Sequence, residues 1–274
     1  MLPRSKSEVL YIYREIFEQG VYGRRGIEIK DGDCIVDVGA NIGLFALFAL
    51  QGRTNLHLTC LEPLPPIFAA LSANLNTDTT AGHRVDLVNE GISLRDEEAE
   101  LVFYPASPGN STAVPDKKEE EGQLIASSLT MGDFWRRSKW LFVGMLLLFP
   151  FRRWIVRTKI QNQFGDSLRF PCRLRPLGDL IDERGIERID LLKVDVEGSE
   201  LSVLDSIRDD QWPMIRQLVM EVSPHLVSQI PSLRERLEGY GFAEISVLED
   251  AGSLDVDPGS RDGRSLPCTL YARR

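Results

Sequence analysis

The sequence predicts an α/β domain built on a parallel sheet, and three observations carry that expectation. Short apolar runs at residues 34–38, 57–63 and 85–91 are separated by helical stretches, the alternation that parallel sheets require. The same alternation resumes later, with a helix at 177–184, a strand at 189–196, a helix at 198–207 and a strand at 217–222. Gly39 and Gly43 stand between the first strand and the helical run 44–50. Strand, glycine turn and helix in that order form a corner suited to a nucleotide-like ligand.

Taken in order, residues 8–19 set Val9, Leu10, Ile12, Tyr13, Ile16 and Phe17 on one helical stripe, and Gly20 stops it. Residues 1–30 read as a helical lead-in and 31–274 as the main domain. The turn Asp31-Gly-Asp33 enters the first strand, Cys34-Ile-Val-Asp-Val38, an apolar β-branched run with one acid. Residues 66–75 are helical, and 96–104 add a hairpin-like strand. Near the C-terminus, 231–240 read as a helix stopped by Gly241. The runs 242–248 and 268–272 read as two final strands around a polar loop.

Composition narrows the classes. The 274 residues fit one large domain, and 43% hydrophobic with 27% charged suits a globular core. A net charge of −9 counts against wholesale nucleic-acid binding. The N-terminal residues lack the apolar stretch of a signal peptide. Cys34, Cys60, Cys172 and Cys268 have no CxxC spacing, so buried reduced thiols and a cytoplasmic setting are expected. His57, His83 and His225 have no ligand spacing, and no metal site is assigned.

Residues 134–165 break the pattern, with seven basic residues, no acidic ones and three of the four tryptophans. Their uncharged centre, 140–151, falls short of the roughly 20 residues a bilayer span needs. Three readings stand: a lid over a large apolar acceptor, a peripheral contact with an anionic membrane, or a buried helix hairpin with a solvated basic face.

Four motifs carry chemistry. In Asp37-Val-Gly-Ala-Asn-Ile-Gly43, Asn41 stands where a dinucleotide fingerprint has the glycine that admits a pyrophosphate. That favours a ligand without phosphates whose amino-acid tail bonds the loop backbone, as in S-adenosylmethionine. Asp37 suits its amino group or an ordered water beside it. Glu62, 25 residues on at the end of the second strand, suits the two ribose hydroxyls. In Leu191-Leu-Lys-Val-Asp-Val-Glu-Gly-Ser-Glu200, strand alternation would put Asp195 and Glu197 on one face, with Lys193 able to pair with either. There they would orient an acceptor hydroxyl, take its proton or hold a divalent ion. Glu221-Val-Ser-Pro-His225 ends the next strand, and His225 is a general-base candidate.

These motifs, with Leu61-Glu-Pro63, Leu71-Ser-Ala-Asn74, Leu177-Gly-Asp-Leu180 and the upstream Val21-Tyr22, resemble the FkbM-type methyltransferase family over residues 8–105 and 177–272. The resemblance implies the class I methyltransferase (Rossmann-like) fold. That is a seven-stranded, mostly parallel sheet with helices on both faces and an antiparallel last strand. It implies an S-adenosylmethionine-dependent enzyme, usually methylating a hydroxyl oxygen of a small-molecule, lipid-like, sugar or natural-product acceptor. The donor would lie against Asp37, Gly39, Ala40, Asn41 and Gly43, with Glu62 and Pro63 at the ribose and Asp195 nearby. Asn89 and Gly91 would serve the adenine, although Gly91-Ile-Ser-Leu94 stands where the family often has a Ser-Asp pair. Asp195, Glu197 and His225 would face the acceptor. The alternatives are N-methylation, or a membrane- or partner-docking protein that keeps the fold without the chemistry.

Overall fold

The computed structural model describes residues 6–105, 167–249 and 268–274. The tryptophan-rich segment 134–165 and its three readings lie outside the described residues.

The main sheet has seven strands: β1 (Cys34–Val38), β2 (His57–Leu61), β3 (Arg84–Val88), β7 (Leu191–Val194), β8 (Gln217–Val222), β9 (Glu244–Glu249) and β10 (Cys268–Arg273). Their order is β3-β2-β1-β7-β8-β10-β9, and β10 alone runs against the direction of the other six. The helices are α1 (Lys6–Tyr13), α2 (Leu44–Leu50), α3 (Pro65–Asn74), α4 (Leu177–Arg184), α5 (Glu200–Asp205) and α6 (Ile230–Gly239). Apolar cores lie on both faces of the sheet. Val36, Val38, Leu192 and Val194 pack toward α4 and α5, while Ile35, Leu58 and Leu191 pack toward α2. Burial on both faces explains why β1 and β7 read as near-continuous apolar runs. This is the class I methyltransferase arrangement.

Three local differences from the sequence expectation have physical causes. The stripe at 8–19 starts as α1 but closes as a π-helical turn, Arg14–Glu18, where Tyr13 stacks on Phe17 at 4.6 Å. The run 85–91 splits. β3 stays in the main sheet, while β4 (Gly91–Ile92) joins a second sheet ordered β4-β6-β5, with β5 Glu97–Phe103 and β6 Leu168–Arg175. Gly91 packs so closely on Pro63 and Leu174 that a Cβ there would lie 2.5 Å from Leu174. Strand β6 adds to the sequence expectation, which placed no element at 168–175, and it contains Pro171, a residue confined to sheet edges and bulges. It is tolerated because β6 pairs with β5 alone at that position; β4 reaches only Leu174 and Arg175. Among the described residues no helix is long and apolar enough to cross a membrane.

Candidate active site

Past the C-terminal ends of β1, β2, β7 and β8 lies a cavity of about 500 Å³, a size suited to a small-molecule ligand. Open α/β sheets place their sites at this edge. The glycine turn forms one wall. Gly39 and Gly43 have φ of +80° and +87°, and Asn41 has +50°. Asn41 suits the left-handed position because its own Oδ1 accepts from the N–H of Ile42 at 2.7 Å.

The two glycines serve chain packing here, rather than close approach of a ligand. A Cβ on Gly39 would sit 1.8 Å from the Asp195 carbonyl oxygen, and one on Gly43 would sit 2.8 Å from Leu71. The turn's N–H groups are also committed. Gly39 and Ala40 donate to the Leu61 carbonyl at 3.1 and 2.8 Å, and Gly43 donates to the Ala40 carbonyl at 2.9 Å. Asn41 donates to Glu62 Oε2 at 3.2 Å. All five N–H groups from Gly39 to Gly43 thus have acceptors within the corner itself.

Glu62 is buried in the wall, with its carboxylate accepting from Asn41 N and, at 3.0 Å, from Leu64 N. A carboxylate has room for about four such bonds, so capacity for two more remains. Burial pushes the Glu62 carboxyl up from its ordinary 4.5 to about 7, against the pull of those two backbone donors. Beside it, Leu64, Ile67, Leu101 and Leu174 form an apolar patch packed with Ile42. Pro63, Gly91, Ile92 and Ser93 complete that side. Asn89 is not in the wall. Its amide braces the wall from behind, donating to the Glu62 and Pro63 carbonyls at 2.8 and 3.0 Å.

At the other side stand Asp195, Glu197 and Glu221. β7 ends at Val194, and Glu197 has φ +55°. Strand alternation therefore does not reach Glu197; a left-handed turn, continued by Gly198 at +109°, brings it to the cavity instead. That turn is tied across to the end of β8 by Glu200, whose Oε1 accepts from Gly198 N at 2.9 Å and Ser223 Oγ at 2.7 Å. His225 lies on the next 3₁₀ turn, against Gly198 and outside the cavity wall.

Asp37 is fully buried and also stays behind the wall. Its Oδ1 accepts from Lys193 Nζ at 3.0 Å. The same ammonium donates to the Gly39 carbonyl at 3.0 Å and lies 3.4 Å from Asp195 Oδ2. Burial disfavours this charge, but Asp37 and Asp195 overcome the penalty and raise the ammonium pKa above its ordinary value.

Sequence reasoning missed Tyr22. It lines the cavity from a short 3₁₀ turn, packs edge-on against Phe45 at 4.9 Å, and its hydroxyl lies 3.5 Å from Asp195 Oδ2. Burial first, then Asp195, raise its phenol pKa well above the ordinary value. The only signal for it was Val21-Tyr22 in the family resemblance, to which no role was attached. Glu200 closes the motif that starts at Leu191 but had no role attached, because one of its partners, Ser223, comes from the end of another strand.

The residues present fit S-adenosylmethionine. Of the seven carboxylates lining the cavity, Glu90 and Glu97 pair with arginines, and the other five stand with one ammonium, Lys193, among the described residues, a balance that suits a cationic sulfonium. Glu62 keeps acceptor capacity beside an apolar patch, as a ribose joined to a flat base requires. Among the described residues no three His, Cys, Asp or Glu side chains converge as ligands for an ion.

Comparison with known proteins agrees. The family model described as the methyltransferase FkbM domain matches residues 37–243. The chain is 34% identical over 241 residues to the 31-O-demethyl-FK506 methyltransferase FkbM of Streptomyces tacrolimicus, covering 87% of this chain and 84% of that protein. It is 32% identical over 248 residues to the methyltransferase sdnD of Sordaria araneosa, covering 87% and 83%. Among solved structures, it is similar to a methyltransferase FkbM from Methylobacillus flagellatus KT, with a TM-score of 0.49, 15% identity, and 92% and 46% of the two chains covered. The family match and the first of these relatives settle the assignment: the chain belongs to the FkbM methyltransferase family and is an S-adenosylmethionine-dependent methyltransferase.

Proposed function

We propose that this methyltransferase acts on a hydroxyl oxygen of a small organic acceptor. One observation carries the reading. A single cavity joins an acceptor-rich carboxylate in an apolar setting, Glu62, to the acidic group of Asp195, Glu197 and Glu221 across the glycine turn. When bound, S-adenosylmethionine supplies a methyl group on a sulfonium for in-line transfer to a nucleophile. Glu62 accepts the ribose hydroxyls, and Leu64, Ile67, Leu101 and Leu174 hold the base. The turn Gly39-Ala-Asn41 and Asp195 border the methionine end. Asp195 and Glu197 orient the acceptor hydroxyl and receive its proton, and holding it in line supplies much of the acceleration. His225 supports the Glu197 turn from behind Gly198.

The relative from Streptomyces tacrolimicus carries an oxygen-directed methyltransferase name, which supports the choice of oxygen. The test is twofold. Calorimetry should detect S-adenosylmethionine and its demethylated product, with Glu62→Gln weakening both. Labelled donor offered to hydroxylated lipids, sugars and macrocycles should then yield an O-methyl ether. A product carrying the label on nitrogen overturns the oxygen assignment; absence of donor binding overturns the whole reading.

A further inference from the structure

The ammonium of Lys193 meets three oxygens, two by hydrogen bonds and the third as an ion pair. They are Asp37 Oδ1 at 3.0 Å on β1, the Gly39 carbonyl at 3.0 Å in the glycine turn, and Asp195 Oδ2 at 3.4 Å past β7. These three points belong to separate parts of the site. The turn borders the methionine end of the donor, and Asp195 faces the place of transfer. They are also in direct backbone contact, because the Asp195 carbonyl fills the space where Gly39 would carry a Cβ. Lys193 itself is nearly fully buried, under the rings of Tyr22 and Phe45 at 5.6 and 5.7 Å.

Because the turn's N–H groups are used internally, its conformation is held from within. Lys193 holds it from outside, by its carbonyl. One buried cation, hydrogen-bonded to the turn and ion-paired with Asp195, sets their separation, and that separation sets how donor and acceptor meet. We propose that Lys193 is a positioning residue of the methyl-transfer site, locking the donor turn to Asp195 through its three-armed ammonium. Asp37 then acts through Lys193 instead of touching the ligand. This inference rests on the donor-site reading above.

The test separates positioning from simple neutralisation of a buried acid. Lys193→Met strands Asp37 and should lower both the melting temperature and donor affinity. Asp37→Asn/Lys193→Met removes both charges together, which buried ion pairs often tolerate without loss of stability. Its melting temperature should recover, while S-adenosylmethionine still binds about tenfold more weakly than to the wild type. Asp37→Asn alone leaves Lys193 three acceptors and should bind the donor at least about fivefold more tightly than the double variant. Lys193→Arg keeps the charge but replaces three converging contacts by a planar fork, and should also lose donor affinity with the fold intact. If the double variant folds and binds the donor like the wild type, Lys193 merely neutralises Asp37 and the proposal falls. If the double variant does not fold, wild-type affinity in Lys193→Arg has the same force. A wild type that binds no donor overturns the donor-site reading, and this inference with it.

Discussion

Gly39 and Glu62 show how single residues carry this site, and each yields a measurement. Gly39 combines φ +80° with a Cβ position 1.8 Å from a backbone oxygen. Gly52 has φ +72° but nothing within 4 Å of its Cβ position. Gly52→Ala should therefore cost only the left-handed penalty of about 1–2 kcal/mol, whereas Gly39→Ala must push β7 away from β1. Denaturant titration should show the second loss to be clearly larger, with donor binding abolished. Equal losses would mean the close approach is not rigid. For Glu62, burial has raised the carboxyl to about 7, so the folded chain holds a proton that the unfolded chain releases above about 4.5. This contribution to stability is full at low pH and is lost as pH rises through about 7. Donor binding should run the other way, because ribose hydroxyls need the ionised acceptor. Affinity should rise from about pH 6 to about pH 8, and Glu62→Gln should flatten both trends. A pH-independent affinity in the wild type would remove Glu62 from the ribose.

At the scale of elements, the acceptor side depends on how two loops are tied together. Glu200 opens α5 yet spends its carboxylate on Gly198 N and Ser223 Oγ, linking the turn after β7 to the end of β8. Glu200→Ala leaves two donors unpaired, a cost of about 1–3 kcal/mol per buried group. Melting temperature should drop, and transfer should slow more than donor binding weakens, since Glu62 and Gly39 are untouched. Glu200→Gln keeps an acceptor oxygen and should recover most of both; an equal loss in the two variants would refute this role. The second sheet is the other element that matters. β6 brings Leu174 under Gly91 and Pro63 and so completes the apolar side of the cavity. It alternates Leu168, Phe170, Cys172 and Leu174 with Arg169, Arg173 and Arg175. Pro171 interrupts the alternation, and whether a proline is tolerated in a strand depends on which neighbour it faces.

For the whole molecule, the sheet order puts β1, β7 and β8 at the centre, covered on both faces. Hydrogen exchange should find the slowest amides in these strands, with β3 and the second sheet exchanging earlier. Slowest exchange in the second sheet would contradict a fold organised around the main one. Much of this was legible in the chain. Alternating strand and helix signals, the glycine corner and the acids at strand ends pointed to the fold class and the family, since all are local patterns. The residues that hold the site together were not. Asp37 and Lys193 lie 156 positions apart, Tyr22 reaches Asp195 across 173, and no spacing rule links them. By itself the sequence determined the strands of the main sheet and which acids stand at their ends, because periodicity and turn chemistry act over a few residues. Only the tertiary structure decided that the glycine turn spends its N–H groups on itself, that Asp37 lies behind the wall, and that Lys193 joins the two sides. Those outcomes depend on which strand ends become neighbours, and the sheet order sets that.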